Sequence, residues 1–289
     1  MLWHNCSRIG AVRRGNVTFK TYISKGRKQL RKRKRLIIFI SILAILGLTS
    51  ATFAWFTVNT FAGVQVFELQ ISTGDDLRVS MDNHGSDIDQ YTHVITNEML
   101  NTYLRRTKNK TLEDVILDPV TTTDGKNFTY QNGSAAEANG DESYFEFECY
   151  FIATRDMHVH LTTEGADENG KQTGTNNGTQ VTTDSPAPQS DVVKACRIDF
   201  DGEGNSVKTY EPNKAGQSTS LTTFDLPGGT MSYSDSNNLF TLQKLTPKKV
   251  AVRVWLEGED PECDNDIQRA NLKIKLSFVG IRDGATTPG

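Results

Sequence analysis

Apolar and polar residues alternate with a period of two at several places in this chain. In Ser143–Ala153, Phe145, Phe147, Cys149 and Phe151 alternate with Tyr144, Glu146, Glu148 and Tyr150. That is the pattern of a strand with one buried face. Met157-His158-Val159-His160-Leu161 continues it on the next strand. Towards the C-terminus, Val250, Val252, Val254 and Leu256 alternate with Arg253 and Glu257, and Leu272, Ile274, Leu276 and Phe278 alternate with Lys273, Lys275 and Ser277. These last two strands are predicted to pair antiparallel with each other, near a sheet edge guarded by lysines.

Weaker signals fill in the rest. Val64–Ser72 reads as a strand whose apolar parity shifts between Val66 and Phe67, which predicts a bulge. The turn Gly74-Asp75-Asp76 would fold Leu77–Met81 back onto it as a hairpin. Val94–Leu104 is predicted to be a short helix, and Asp124-Gly125, Asn132-Gly133 and Asn139-Gly140 are turn signals. Residues 165–190 are almost wholly polar, and so are expected to form a mobile loop or insertion. Val192–Phe200 and Ser206–Tyr210 suggest a hairpin around Asp201-Gly202-Glu203-Gly204, and Asn238–Leu245 a short strand. About nine or ten strands with irregular connections predict an all-β, antiparallel β-sandwich, jelly-roll-like.

Ahead of this domain lies a different kind of sequence. Residues 36–58 carry no charge, and their strongly apolar part, Leu36–Leu48, has the length of a signal-peptide core. The run Thr49-Ser50-Ala51-Thr52-Phe53-Ala54 offers a signal peptidase a cleavage point after Ala54 or after Ala51. The same segment is long enough to span a bilayer as one N-terminal transmembrane helix, with Trp55 and Phe56 at the outer interface. Both readings stand at this point.

Charge sets the orientation. Residues 1–35 hold twelve Lys/Arg and no Asp/Glu, ending in Arg31-Lys32-Arg33-Lys34-Arg35. Of the 32 basic and 35 acidic residues overall, 20 and 35 follow, so a net charge of −3 conceals an outer part at −15. The positive-inside bias keeps the basic arm 1–35 with the cytoplasm and the anionic lipid surface. It places an extracytoplasmic domain at 59–284, with the polar insertion at 165–190, at the cell surface. A membrane is thus the expected partner, and an acidic ectodomain argues against nucleic acid.

Candidate chemistry is sparse. Glu257–Asp266 is a dense acidic loop in which Glu259, Asp260, Glu262, Asp264 and Asp266 offer the oxygen ligands a hard cation such as Ca²⁺ wants, without EF-hand spacing. His158 and His160 share one strand face, but two imidazoles are not a zinc site unless a third ligand comes from His84, His93 or a distant carboxylate. No His-Glu-x-x-His, Gly-x-Ser-x-Gly or phosphate-loop motif occurs, so no catalytic residue is assigned. Cys6 falls on the inner side, and the odd number left outside (Cys149, Cys196, Cys263) allows at most one disulfide. Sequons at Asn109, Asn127, Asn132 and Asn177 matter only where the source glycosylates them.

The segment LTSATFAWFTVNT with its upstream basic run resembles the export region of Gram-positive (Firmicutes) surface proteins of the TasA/camelysin group. The stretches YFEFECYFIAT, VRVWLEGEDPECDND and NLKIKLSFVG resemble a set of surface proteins from anaerobic Firmicutes that carry no assigned function. The first resemblance implies a jelly-roll-like subunit that self-associates by lending a strand to its neighbour, with Val64–Ser72 as the donated or edge strand. The long basic arm, the polar insertion and the three outer cysteines depart from that group. The function expected on these grounds is a non-catalytic structural or adhesive protein of the envelope or biofilm matrix. It would meet copies of itself or cell-wall and matrix components. The alternatives are a carbohydrate- or peptide-binding ectodomain and, third, a metal-dependent secreted hydrolase.

Overall fold

In the computed structural model the chain divides into two compact units, Met1–Val58 and Asn59–Gly289. The structure describes residues 62–72, 76–140, 143–174, 177–212, 221–226, 238–282 and 285, together with Ile38 and Ser41. The basic arm, nearly all of segment 36–58 and Ala54 lie outside the described residues. Among the described residues no helix is long and apolar enough to cross a membrane.

The second unit opens with β1 (Ala62–Ile71), β2 (Leu77–Ser80), β3 (Val94–Ile95) and helix α1 (Asn97–Lys108). Then come β4 (Ile116–Leu117), β5 (Pro119–Thr121), β6 (Thr129–Tyr130), β7 (Phe145–Ala153) and β8 (Met157–Leu161). The polar stretch holds β9 (Gly165–Ala166), β10 (Gln172–Gly174) and β11 (Gln180–Thr182). Last are β12 (Cys196–Gly202), β13 (Lys208–Tyr210), β14 (Thr223–Phe224), β15 (Phe240–Leu242), β16 (Lys248–Glu257) and β17 (Asn271–Ile281).

Two sheets form the layers. Sheet I runs β15-β8-β17-β1-β3, with β11 also on β17 and β4 also on β1. Sheet II runs β14-β13-β12-β16-β5-β6, and β7 pairs with both β16 and β2. β9 and β10 form a small hairpin of their own. Between the layers the aromatic residues of alternate strand positions meet. Phe67 of sheet I lies edge-on to Phe147 of sheet II at 5.0 Å, and Phe278 lies edge-on to Phe200 at 5.6 Å. Phe151 packs on both Phe240 and Phe278. Such contacts add about 0.5–1.5 kcal/mol each beyond the area they bury.

The period-two segments all became strands, but two expected pairings and the expected all-antiparallel arrangement differ. β16 and β17 do not pair: β16 lies between β12 and β7 in sheet II, and β17 between β1 and β8 in sheet I. Alternation says which face of a strand is apolar, and both apolar faces here meet one core from opposite layers. Neither strand is at an edge, so Lys273 and Lys275 guard no edge; they ion-pair with Asp184 and Glu68. β1 and β2 are likewise no hairpin, because β2 pairs with β7. Finally, the sheets are mixed rather than purely antiparallel, with β1–β17, β5–β16 and β13–β14 parallel.

β1 itself is an interior strand. It pairs along its length with β17, and on its other side with β4 and β3. The expected bulge is present, with its register shift between Val64 and Val66, slightly earlier than the parity change implies. Helix α1 starts where Thr96 accepts a hydrogen bond from the Met99 N–H, and it ends at Asn109 in left-handed conformation (φ 53°). Glu98 in its first turn and Arg105, Arg106 and Lys108 in its last suit the helix dipole. Leu100 and Leu104, one turn apart, are buried in the core. The helix therefore begins later than Val94, which joins β3 instead.

Among its described residues the polar stretch forms more regular structure than its composition implies. Two of its glycines allow backbones to touch. A side chain on Gly178 would lie 2.3 Å from the Glu164 carbonyl oxygen, and one on Gly165 2.7 Å from that of Asn177. The Gly178 and Thr179 N–H groups donate to the carbonyls of Thr163 and Thr162. β11 then joins β17, Val181 opposite Ile274. Hydrogen bonds and close approach replace apolar burial here, so a composition rule for disorder does not apply.

Candidate functional site

The unusual chemistry of the domain sits on the outer face of sheet II. Residues facing away from the core along β12 and β16 are Arg197, Asp199 and Asp201, and Arg253, Trp255 and Glu257. An exposed sheet face would leave them in water. Here Arg197, Asp199, Arg253, Trp255 and Glu257 are all buried.

Two arginines organise that face. Arg253 donates from Nε to Glu146 Oε2 at 2.6 Å and from Nη1 to the Gly125 carbonyl at 2.9 Å. Its guanidinium also meets Asp199 Oδ1 and Asp201 Oδ2, each at 3.3 Å. Lys126 reaches Asp201 at 3.2 Å. Gly125 takes a left-handed conformation (φ 68°) in the turn that covers this cluster. Asp124 shapes the same turn by accepting from the Lys126 and Asn127 N–H groups at 2.8 Å, and these bonds hold its carboxyl far below the usual range.

Arg197 is buried more deeply. One Nη2 contacts Asp260 Oδ2 in a short ion pair, and Glu211 Oε1 lies 3.1 Å away, in ionic contact but off the hydrogen-bond axis. Its Nη1 donates to the carbonyls of Lys194 (2.6 Å) and Cys196 (3.0 Å). Glu211 in turn accepts from the Thr223 hydroxyl. One guanidinium thus ties together β12, the helical turn Val192–Ala195, the loop after β16 and the β13–β14 connection. Beside it, Trp255 donates from Nε1 to Glu257 at 3.2 Å and packs edge-on to Phe128, which stacks on Tyr144 at 4.1 Å.

Burial shapes the titration of these groups. It pushes the Asp199 carboxyl well above its ordinary value, and Arg253 only partly offsets this. Asp199 Oδ2 is buried without a hydrogen-bond partner, while Oδ1 faces Arg253. Burial also raises Glu257 against the hydrogen bonds it accepts. Glu262 is raised by its hydrogen bond with Asp260 and then by burial. The Cys196 thiol is pushed up to about 12 by burial, and Cys149 and Cys263 are raised for the same reason. All three thiols are free in the structure.

The acidic loop is only partly an open cluster. Asp260 is buried and turned inward to Arg197. Asp264 caps the short turn Asn265–Ile267 by accepting from the Asp266 N–H at 2.8 Å. Glu259 and Asp266 are exposed, and Glu262 is half-buried. His158 is half-buried, its Nδ1 3.3 Å from Asn238 Nδ2, while His160 is buried on the same strand. His84 stands apart, with Nε2 3.1 Å from Ser80 Oγ. Among the described residues no group of three or more His, Cys, Asp or Glu is placed to hold a metal ion.

No protein-family model matches this chain, and neither a curated protein nor a solved structure does.

What the arrangement can do follows from its pairing. Carboxylates paired with buried arginines and shut away from water are poorly placed to act as general bases on a substrate. They are good at fixing several chain segments in one geometry. Sequence reasoning picked out Asp260 as an oxygen ligand, whereas its neighbour is Arg197. Arg197 and Arg253 were missed as a centre. The signal was available in the outward positions of β12 and β16, where charged residues and a Trp share a face.

Proposed function

We propose that this chain is an exported bacterial surface protein whose outer domain is a non-catalytic structural or adhesive sandwich of the cell envelope or biofilm matrix. The observation that carries the proposal is the sequence polarity: a basic arm with no acid, an uncharged segment 36–58, then an acidic β-domain. The domain's architecture agrees with such a role. Its most buried charges are spent on one another across segments rather than presented around a reacting centre. In this reading the sandwich is jelly-roll-like and akin to the TasA/camelysin group. Self-association would then require β1 to leave β17 and enter a neighbour's sheet, since β1 is not an edge strand.

Fractionation of native cells, with the N-terminus and intact mass of the chain determined, tests this. A chain beginning near Trp55 in the medium or matrix supports a secreted subunit. An uncleaved chain in the membrane fraction supports a tethered one. An intact chain in the cytosol overturns the proposal.

A further inference from the structure

The first and last strands of the described domain are neighbours, and they run the same way. The ladder extends from Gly63 opposite Asn271 to Ile71 opposite Phe278. It is bracketed by the Gly63 N–H donating to the Ala270 carbonyl at 3.0 Å and the Ser72 N–H donating to the Phe278 carbonyl at 2.7 Å. Because the strands are parallel, the chain enters β1 at one end of the sandwich and leaves β17 at the other. Had they been antiparallel, entry and exit would share one end.

This difference decides how the sheet meets a pull along the chain. Tension between the two exits draws β1 and β17 past each other along their length. All the ladder's hydrogen bonds then share the load, and none can break alone. In the antiparallel case the same tension would peel the bonds apart one at a time. Shear also drags side chains out of the core, since Phe67, Leu69, Ile71, Leu272, Leu276 and Phe278 are fully buried along these two strands.

The far end is fastened separately. Arg282, just past β17, meets Asp76 Oδ2 at 3.3 Å, and Asp76 also accepts from Arg155 Nη2 at 3.0 Å. Burial would raise the Asp76 carboxyl, but hydrogen bonds from Thr154, Arg155 and Arg282 outweigh it and hold it charged. The point where the chain leaves β17 is therefore pinned to the start of β2 and to the turn after β7.

We propose that the β1–β17 pair is a mechanical clamp, which lets the domain bear tension transmitted along its own chain. The proposal rests on the surface reading for its biological use, since a tethered or fibre-forming domain is pulled. The pair of strands supplies the resistance whatever the domain holds.

The test is single-molecule force spectroscopy on the full-length chain in detergent, in two grips. One grips fused tags at the two termini and loads the pair in shear. The other grips the N-terminal tag and a thiol handle at Asp266→Cys in a Cys6→Ser background. Residue 266 precedes β17 at the end where β1 begins, so this grip peels the same pair. Both share the N-terminal grip, and neither alters a core residue. The expected result is a single rupture in the terminal grip at roughly twofold or greater force, as forced unfolding reads the barrier rather than the equilibrium. Equal or lower force in the terminal grip, or early loss of β1 in a separate weak step, overturns the clamp. The two proposals fail separately. A cytosolic chain with a strong terminal rupture keeps the clamp and removes the surface reading, and an exported chain with a weak rupture does the reverse.

Discussion

The outer faces of the two sheets are both covered, and by opposite means. On sheet I, small polar residues do the work: Gln70, Ser72, Thr162 and Ser277 are buried beneath backbone from the polar stretch. Ser277 donates to the Glu164 carbonyl at 2.6 Å, and Ser72 to that of Gly165. On sheet II, the cover closes over ionised arginines, carboxylates and a Trp–Phe–Tyr stack. The first face is stabilised by neutral hydrogen bonds at close approach, and losing one member leaves a neutral group unpaired at a cost of about 1–3 kcal/mol. The second is stabilised by compensated charge, where losing one member strands the others.

The largest expected effect exploits that contrast. Arg197→Met should destabilise by about 3–5 kcal/mol, because Asp260 and Glu211 would stay buried without their cation. Urea unfolding of the full chain measures it. The combined variant Arg197→Met/Glu211→Leu/Asp260→Leu should regain most of the loss, since apolar packing of similar size replaces the whole group. An unchanged midpoint for Arg197→Met would erase the difference between the faces.

On sheet I the sensitive point is space, not charge. Gly178→Val should cost about 1–3 kcal/mol, as its side chain meets the Glu164 backbone. Hydrogen exchange should quicken across residues 163–182 and stay unchanged in β16. Equal loss of protection in both would mean the two covers are one cooperative unit.

Asp199 sharpens the comparison through pH. Its native value lies above the unfolded one, so the native state holds the extra proton. The stability it contributes is full below the unfolded value of about 3.9 and is lost as pH rises through the raised native value. In that window stability should fall with pH by up to about 1.4 kcal/mol per unit from this group. Asp199→Asn should flatten the slope, and Glu257, shifted the same way, should leave a remainder. A pH series of thermal melts in which the Asn variant keeps the full slope would remove Asp199 from the account.

The smallest effect belongs to the half-buried surface pairs. Lys275→Ala, which loses a 3.5 Å pair with Glu68, should change stability by about 1 kcal/mol or less and respond to salt.

These contrasts also mark what the sequence could reveal. The strands β7, β8, β16 and β17 were legible because Phe, Val, Leu and Ile alternate along them, and the β12–β13 hairpin because Asp-Gly and Glu-Gly frame its turn. Their neighbours were not legible, since alternation carries no information about which layer a strand joins. Gly178 and Ser277 looked like loop composition, and only the close approach of backbone makes them structural. Arg253 and Glu257 looked like the solvated half of an alternating strand. Nothing local told that residues 119–140 would fold over them. Of the candidate ligands, Glu259, Asp264 and Asp266 lie outward as a solvated loop would, and Asp260 does not.

The parallel pairing of β1 with β17 also governs when the domain can form. Gly63 waits for Asn271 and Ile71 for Phe278, so sheet I cannot close until almost the whole domain has been synthesised. A topology of such high contact order folds slowly, because loop closure precedes any reward from the ladder. On the proposed reading of the chain as exported, that delay would keep it unfolded during synthesis and reserve completion of the sheet for the far side of the membrane.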